Sequence, residues 1–220
     1  MPQHDSFTLV LGSRNRKKLV ELAQLIAPPW ESNPRLGRLM IRSLGDFDIS
    51  LDVVEDADTF AGNARKKASE TARALGQWVV ADDSGLTVDA LAGAPGVYSA
   101  RYAGEHGDDL ANNDKVLDAL SSVPDENRGA AFVCALALSD PTGQVRLETS
   151  GRCRGRITRK PIGCNGFGYD PLFLIPEYHR TFGELSALVK HQLSHRSRAF
   201  AHLRPLLDRL IAQGAFGPID

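Results

Sequence analysis

Apolar and polar positions along this chain alternate between two periods, and the switches between them lay out an α/β protein. Short runs such as Phe7 to Leu11 and Trp78-Val79-Val80-Ala81 carry the period of buried strands, whereas Leu19, Leu22, Ala23 and Ile26 recur on one helical face. Taken along the chain, the pattern predicts strands near 7–12, 39–43, 50–54, 77–81, 130–139, 144–157 and 171–175. Helices are predicted near 15–27, 59–75, 109–120, 183–188 and 195–213. The first of these stops at Pro28-Pro29, and Pro205 predicts a kink or break in the last. Asp140-Pro141-Thr142-Gly143 separates two long strand-like runs and reads as the turn of a hairpin. Strands that alternate with helices and then form a hairpin predict a mixed sheet.

Composition narrows the class. No linker or repeat interrupts the 220 residues, and 42% hydrophobic content suffices for a sizeable core in one domain, with room for two lobes and a polar N-terminal tail over 1–6. No apolar run approaches the roughly 20 residues of a membrane span, and Met1 to Ser6 lacks a signal-peptide pattern. The net charge of −1 argues against a broad electrostatic footprint for nucleic acid. Cys134, Cys153 and Cys164 form no Cys-x-x-Cys pair, which suits reduced thiols in a cytoplasm.

The candidate chemistry begins at Ala81-Asp82-Asp83-Ser84-Gly85-Leu86. Asp, Ser and Gly favour turns, so the strand ending at Ala81 is predicted to deliver two carboxylates and a hydroxyl at its mouth. Such carboxylates suit a hard cation, since Mg2+ typically takes one or two protein carboxylates together with substrate phosphates. A capped turn into a short helix over Leu86 to Leu91 reads equally well from the same residues. Ser13-Arg14-Asn15-Arg16-Lys17-Lys18 opens the first predicted helix, where free N–H groups and the dipole attract phosphate. Three basic residues in that first turn oppose the dipole, a conflict that an anion would relieve; a solvated basic face is the plainer alternative. Asn165-Gly166-Phe167-Gly168-Tyr169-Asp170-Pro171 places glycines around an aromatic, so a flat ligand could approach the backbone and stack, although a glycine-rich hairpin looks alike. Lys190 precedes Ser194-His195-Arg196, with Ser194 as the expected N-cap of the last helix.

Together these segments make the chain resemble the inosine triphosphate pyrophosphatases, which hydrolyse deaminated purine nucleoside triphosphates. The resemblance runs from Phe7 to about Leu210 through Ser13 to Glu21, Glu55 to Lys67, Ala81 to Gly104, Gly166 to Phe173 and Lys190 to Arg196. It implies an elongated mixed sheet flanked by helices, with two lobes and the active site in the cleft between them. It also implies Mg2+ as cofactor, a homodimer, and dITP, ITP and XTP as substrates cut to a monophosphate and pyrophosphate.

Residue by residue, the expectation places the metal on Glu55 and Asp83 with Asp82 in support, and the water-activating base at Asp83. Ser13, Asn15 and Lys18 are expected on the phosphates, Phe167 and Gly168 under the base, and His195 and Arg196 as its polar readers. Lys190 and Tyr169 are expected to line the same pocket, with Ser84 and Asp170 as further substrate contacts. The chain departs from the resemblance at Thr59-Phe60-Ala61-Gly62-Asn63-Ala64, where the family often carries Glu-Asn-Ala. Arg152, Arg154 and Arg156 also line one face of a predicted strand, which reads as a solvated edge, a subunit contact or a nucleic-acid stripe. The rival readings are a pyrophosphatase for modified pyrimidine nucleotides and a nucleotide- or nucleic-acid-binding module without turnover.

Overall fold

The computed structural model describes residues 7–13, 20, 25 and 39–216. Seven strands form one mixed sheet in the order β2-β1-β3-β4-β5-β6-β7. The strands are β1 (Phe7–Leu11), β2 (Leu39–Ser43), β3 (Trp78–Val88), β4 (Gly129–Ser139), β5 (Val145–Ile157), β6 (Phe173–Ile175) and β7 (Arg180–Thr181). Within residues 39–216 the helices are α1 (Phe60–Leu75), α2 (Asp109–Ala119), α3 (Ala187–Leu193) and α4 (His195–Ala212). β1 runs parallel to both β2 and β3, while β6 is antiparallel to β5 and to β7. The short connection between the neighbours β4 and β5 permits only an antiparallel return. It closes with Asp140 N donating to Gln144 O at 3.0 Å and Gly143 N to Asp140 O at 2.8 Å.

The chain forms two compact units. Among the described residues, one gathers those up to Asp83, Ala135–Ser150 and those from Ala199 onward; the other gathers Ser84–Cys134 and Gly151–Arg198. In the first, the alanines at 64, 68 and 72 recur every fourth residue, so α1 turns a smooth face inward. Ala64 and Ala68 pack on Ala81, Ala135 and Ala137, and Ala72 on Val10 and Val79. The alanine side chains that α1 presents at these contacts let the helix lie close to the strands. Thr59 caps α1 by accepting from Gly62 N at 3.0 Å, and Gly76 ends it with its N–H on Ala72 O.

The second unit is filled by aromatic rings. Phe132 lies 4.5 Å from Phe173, and Phe173 5.3 Å from Phe182, amid buried Leu86, Leu120 and Leu172. Buried Arg128 donates to Leu120 O, Ile157 O and Thr158 O at 2.6, 2.9 and 2.9 Å, so its charge is spread over three carbonyl dipoles.

Four expectations change. β3 does not turn after Ala81 but runs through Asp82-Asp83-Ser84-Gly85 to Val88, and a 3-10 turn over Asp89–Leu91 stands where the short helix was an option. The reason is tertiary: Leu86 and Val88 are fully buried, Leu86 N bonds Ser99 Oγ at 2.9 Å, and a Cβ on Gly85 would lie 2.2 Å from that Oγ. Residues 50–54 form no strand; the segment alternates inward and outward but joins no ladder of the sheet. The helix expected at 183–188 begins later, at Ala187, because Glu184 N and Leu185 N fold back on Thr181 O at 3.0 and 3.2 Å. Finally, Pro205 does not break the last helix, which continues to Ala212.

Candidate active site

In the first unit, the acidic residues gather around one ammonium. Residues 51–57 alternate between half-buried and exposed, which turns Glu55 inward with Leu51, Val53 and Ala57. Lys67, four residues past Asn63 on α1, reaches Glu55 Oε2 at 3.1 Å and Asp83 Oδ1 at 3.4 Å. Asn63 accepts from Ala57 N at 2.9 Å and donates to Asp83 Oδ2 at 3.1 Å, so one amide ties the Glu55 segment to the strand. Burial works against the charge on Lys67, yet Asp83, Asp82 and Glu55 together outweigh it and hold the ammonium above the ordinary lysine range.

Successive strand residues point to opposite faces, so the two aspartates diverge; Asp83 meets the Lys67 ammonium that also holds Glu55, and buried Asp82 acts on Lys67 through its charge. Two carboxylates converging on one cation fit a divalent metal. Among the described residues no group of three or more His, Cys, Asp or Glu side chains is gathered to hold one. A cation at Glu55 and Asp83 would therefore complete its shell from phosphate and water, as Mg2+ characteristically does.

The departure at Gly62 has a steric basis. A Cβ there would stand 2.7 Å from Ala57 Cβ, so the close approach of α1 to the Glu55 segment leaves no room for a longer side chain without movement.

The second unit holds an aromatic platform ringed by cations. Gly166 and Gly168, at φ +79° and +60°, put Phe167 between two left-handed residues. Phe167 N donates to Asp170 Oδ2 at 2.8 Å, and Asp170 Oδ2 also takes Lys190 Nζ. The Lys190 ammonium lies 4.7 Å from the Phe167 ring centre and the Arg196 guanidinium 5.5 Å. Arg196 Nη2 donates to Ser84 Oγ at 3.0 Å, and His195 stacks on Phe132 at 5.0 Å with its plane inclined 15°. Both are buried at the start of α4, where Ser194 Oγ accepts from Ser197 N at 3.1 Å as the expected cap. Burial raises the Asp170 carboxyl above its ordinary value, and Lys190, the Phe167 N–H and Arg196 only partly offset this. Tyr169 is a buried residue whose hydroxyl donates to Ser99 O at 2.8 Å; burial pushes its phenol up.

Of the predicted site residues, Glu55, Asp82 and Asp83 cluster around Lys67, while Ser84, Phe167, Lys190, Asp170 and Arg196 form one connected group. Gly168 and Tyr169 frame the latter, and His195 adjoins it in sequence. Ser13 stands at the end of β1, where Gly12 N donates to Val80 O at 2.9 Å beside β3. Asn15 and Lys18 lie outside the described residues. Sequence reasoning missed Lys67, Asn63 and Ser99. The first two are legible as an i, i+4 polar pair on the otherwise alanine-rich face of α1.

Comparison with known proteins places this geometry in a family. The Ham1 family profile matches residues 9–206. The dITP/XTP pyrophosphatase of Rhodopirellula baltica is 58% identical over 205 residues, covering 93% of this chain and 95% of that one. The solved structure of the Staphylococcus aureus Ham1 protein superposes with a TM-score of 0.80 at 37% identity, covering 92% of this chain and 98% of the other. The nucleoside-triphosphatase, or dITP/XTP pyrophosphatase, of Mycobacterium abscessus gives a TM-score of 0.74 at 46% identity, covering 91% and 100%. With the match spanning nearly every described element, the chain belongs to the Ham1 family.

Proposed function

We propose that this protein hydrolyses deaminated purine nucleoside triphosphates, dITP, ITP and XTP, to the monophosphate and pyrophosphate. The observation that carries the reading is the convergence of Glu55 and Asp83 on one cation within 3.4 Å, in a chain whose relatives bear the name dITP/XTP pyrophosphatase. Glu55 and Asp83 would hold Mg2+, which when bound neutralises phosphate charge and makes water more acidic. Asp83 takes the proton from the attacking water, its second oxygen steadied by Asn63. Attack at the α-phosphorus forms one P–O bond and breaks the bond to the departing pyrophosphate. Ser13, Asn15 and Lys18 are proposed to hold the phosphates.

The base is proposed to stack on Phe167. Arg196 and His195 are donors that suit a 6-oxo group and would be left without an acceptor by the 6-amino group of adenine, a mismatch worth about 1–3 kcal/mol per buried donor. Lys190, Tyr169, Gly168, Ser84 and Asp170 shape the same pocket. We further infer a homodimer that works in the cytoplasm; among the described residues no helix is long and apolar enough to cross a membrane. Light scattering at micromolar concentration checks the assembly.

The deciding experiment measures pyrophosphate release from dITP, XTP, dATP, dGTP and dUTP, with and without Mg2+. Release from dITP and XTP that requires Mg2+ is expected, with Asp83→Asn lowering it about 100- to 10,000-fold in protein shown by circular dichroism to remain folded. Preference for dUTP would favour a pyrimidine enzyme, and near-normal turnover by Asp83→Asn would remove that carboxylate from the mechanism.

A further inference from the structure

Gly168 is gripped from outside its own loop. Its N–H donates to Asp109 Oδ2 at 2.8 Å, and its carbonyl accepts from Asn113 Nδ2 at 3.1 Å. Asp109 and Asn113 are one helical turn apart on α2, so both ends of a single residue are held by one helix face. The orientation of the Asn113 amide is fixed by this contact, because only its nitrogen can donate to a carbonyl. Its Oδ1 is buried with no hydrogen-bond partner among the described residues, a cost that an apolar residue of similar size would not carry. The bond to Gly168 is what the amide gains there.

α2 is itself anchored. Asn112 Oδ1 accepts from Ala103 N at 2.7 Å, and Lys115 Nζ donates to Tyr102 O at 2.7 Å. The adjoining turn, Gly96–Arg101, holds Tyr169 through Ser99 O. The residues on both sides of the Gly168–Tyr169 bond are thus fixed to the same scaffold.

We propose that Asp109 and Asn113 are positioning residues that hold Phe167 flat for the purine ring; this inference rests on the nucleotide reading above. Two left-handed glycines flank Phe167, and within the loop its N–H is held by Asp170 Oδ2 at 2.8 Å. The α2 clamp adds a hold on the other side of the ring from outside the loop, and ordering the ring before binding removes an entropic cost from the binding step. Both hydrogen bonds of the clamp go to Gly168, next to the proposed base platform.

The test compares Asp109→Ala, Asn113→Ala and their double variant with Asp109→Asn, which keeps an acceptor oxygen. The alanine variants are expected to raise KM for dITP about tenfold, the size of one lost hydrogen bond, with kcat within about twofold. Asp109→Asn is expected to keep the wild-type KM. In the nucleotide-free protein, amide exchange at Gly168 should quicken in Asp109→Ala and not in Asp109→Asn. Unchanged KM in a folded double variant, equal losses in Asp109→Ala and Asp109→Asn, or a loss confined to kcat would each overturn the proposal. Should the double variant fail to fold, Asp109→Ala, at an exposed position, carries the same expectation alone. Wild-type protein that releases no pyrophosphate from any nucleotide would be a failure of the nucleotide reading; exchange at Gly168 then decides the clamp by itself.

Discussion

At the residue scale, Lys67 is the counter-ion of the candidate metal site. With side-chain exposures of 13% for Lys67 and 10% for Asp83, neither charge is well solvated, and each depends on the other. Removing one partner of a buried pair costs about 3–5 kcal/mol, because the remaining charge is left uncompensated. Lys67→Met is therefore expected to lower stability by an amount of that order in metal-free buffer, and Mg2+ should restore more stability to the variant than it adds to the wild type. Thermal melts of both proteins with and without Mg2+ check this; equal metal responses would show that Lys67 and the metal do not share the carboxylates. Asp170 gives a second prediction, with its sign set by burial. Its folded-state pKa is raised above 3.8, so the folded protein binds the proton more tightly than the unfolded chain. The resulting stabilisation is fully present below 3.8 and is lost as pH rises through the folded value. Wild-type protein should then gain stability relative to Asp170→Asn as pH falls from roughly 7 to 4, measured by urea unfolding. A gap that moves the other way would mean that Lys190 outweighs burial.

At the element scale, β3 is where local preference and tertiary structure disagree most. Asp, Ser and Gly ask for a turn after Ala81, and the strand continues because Ser99 bonds Leu86 and Gly85 leaves room for it. A Cβ on Gly85 would also stand 2.8 Å from Gly96 O. Gly85→Ala should therefore push β3 off the Gly96–Arg101 turn and cost about 1–3 kcal/mol, as overpacking in a close-packed interior does. Urea unfolding measures it, and an unchanged midpoint would place the strand's continuation elsewhere.

The same contact explains what the sequence made legible and what it hid. β1, β2, β4 and β5 follow from apolar runs and alternation, and α1 from its cap and its every-fourth alanine. β7, two residues long, carries no period to read, and α3 starts late because of backbone bonds to Thr181 that no pattern announces. The site divides in the same way. Asp83, Glu55, Phe167, Lys190 and Arg196 stand in motifs whose chemistry is local. Lys67 and Asn63 on α1 matter through Asp83, and Ser99 in the Gly96–Arg101 turn through Leu86, partners on β3 that no local motif announces.

At the scale of the whole molecule, charge separates the enzyme reading from the nucleic-acid one. Six outward positions of β5, from Arg146 to Arg156, alternate with buried or half-buried ones, and arginine fills four of them, which in isolation is a phosphate-binding stripe. In the folded protein Arg146, Arg154 and Arg156 have acidic or carbonyl neighbours. Arg154 forms a fork with both oxygens of Asp89 at 3.1 and 2.8 Å, Arg146 reaches Asp140 at 3.2 Å, and Arg156 donates to Glu126 O at 3.3 Å. Arg159, just past the strand, pairs with Asp125 at 2.7 Å. A backbone phosphate would have to displace these partners before it gained a contact, in a chain whose net charge is −1. The steep salt dependence that marks a protein neutralising many phosphates should therefore be absent here. Duplex DNA and single-stranded RNA are expected to bind no more tightly than the roughly 10−4 to 10−6 M of non-specific association at physiological salt, and neither should inhibit pyrophosphate release from dITP. Fluorescence anisotropy across a salt series measures the first and competition in the turnover assay the second. Tight, strongly salt-dependent binding that Arg154→Ala weakens would return the β5 face to the nucleic-acid reading, because a structural ion pair with Asp89 would then be serving a phosphate as well.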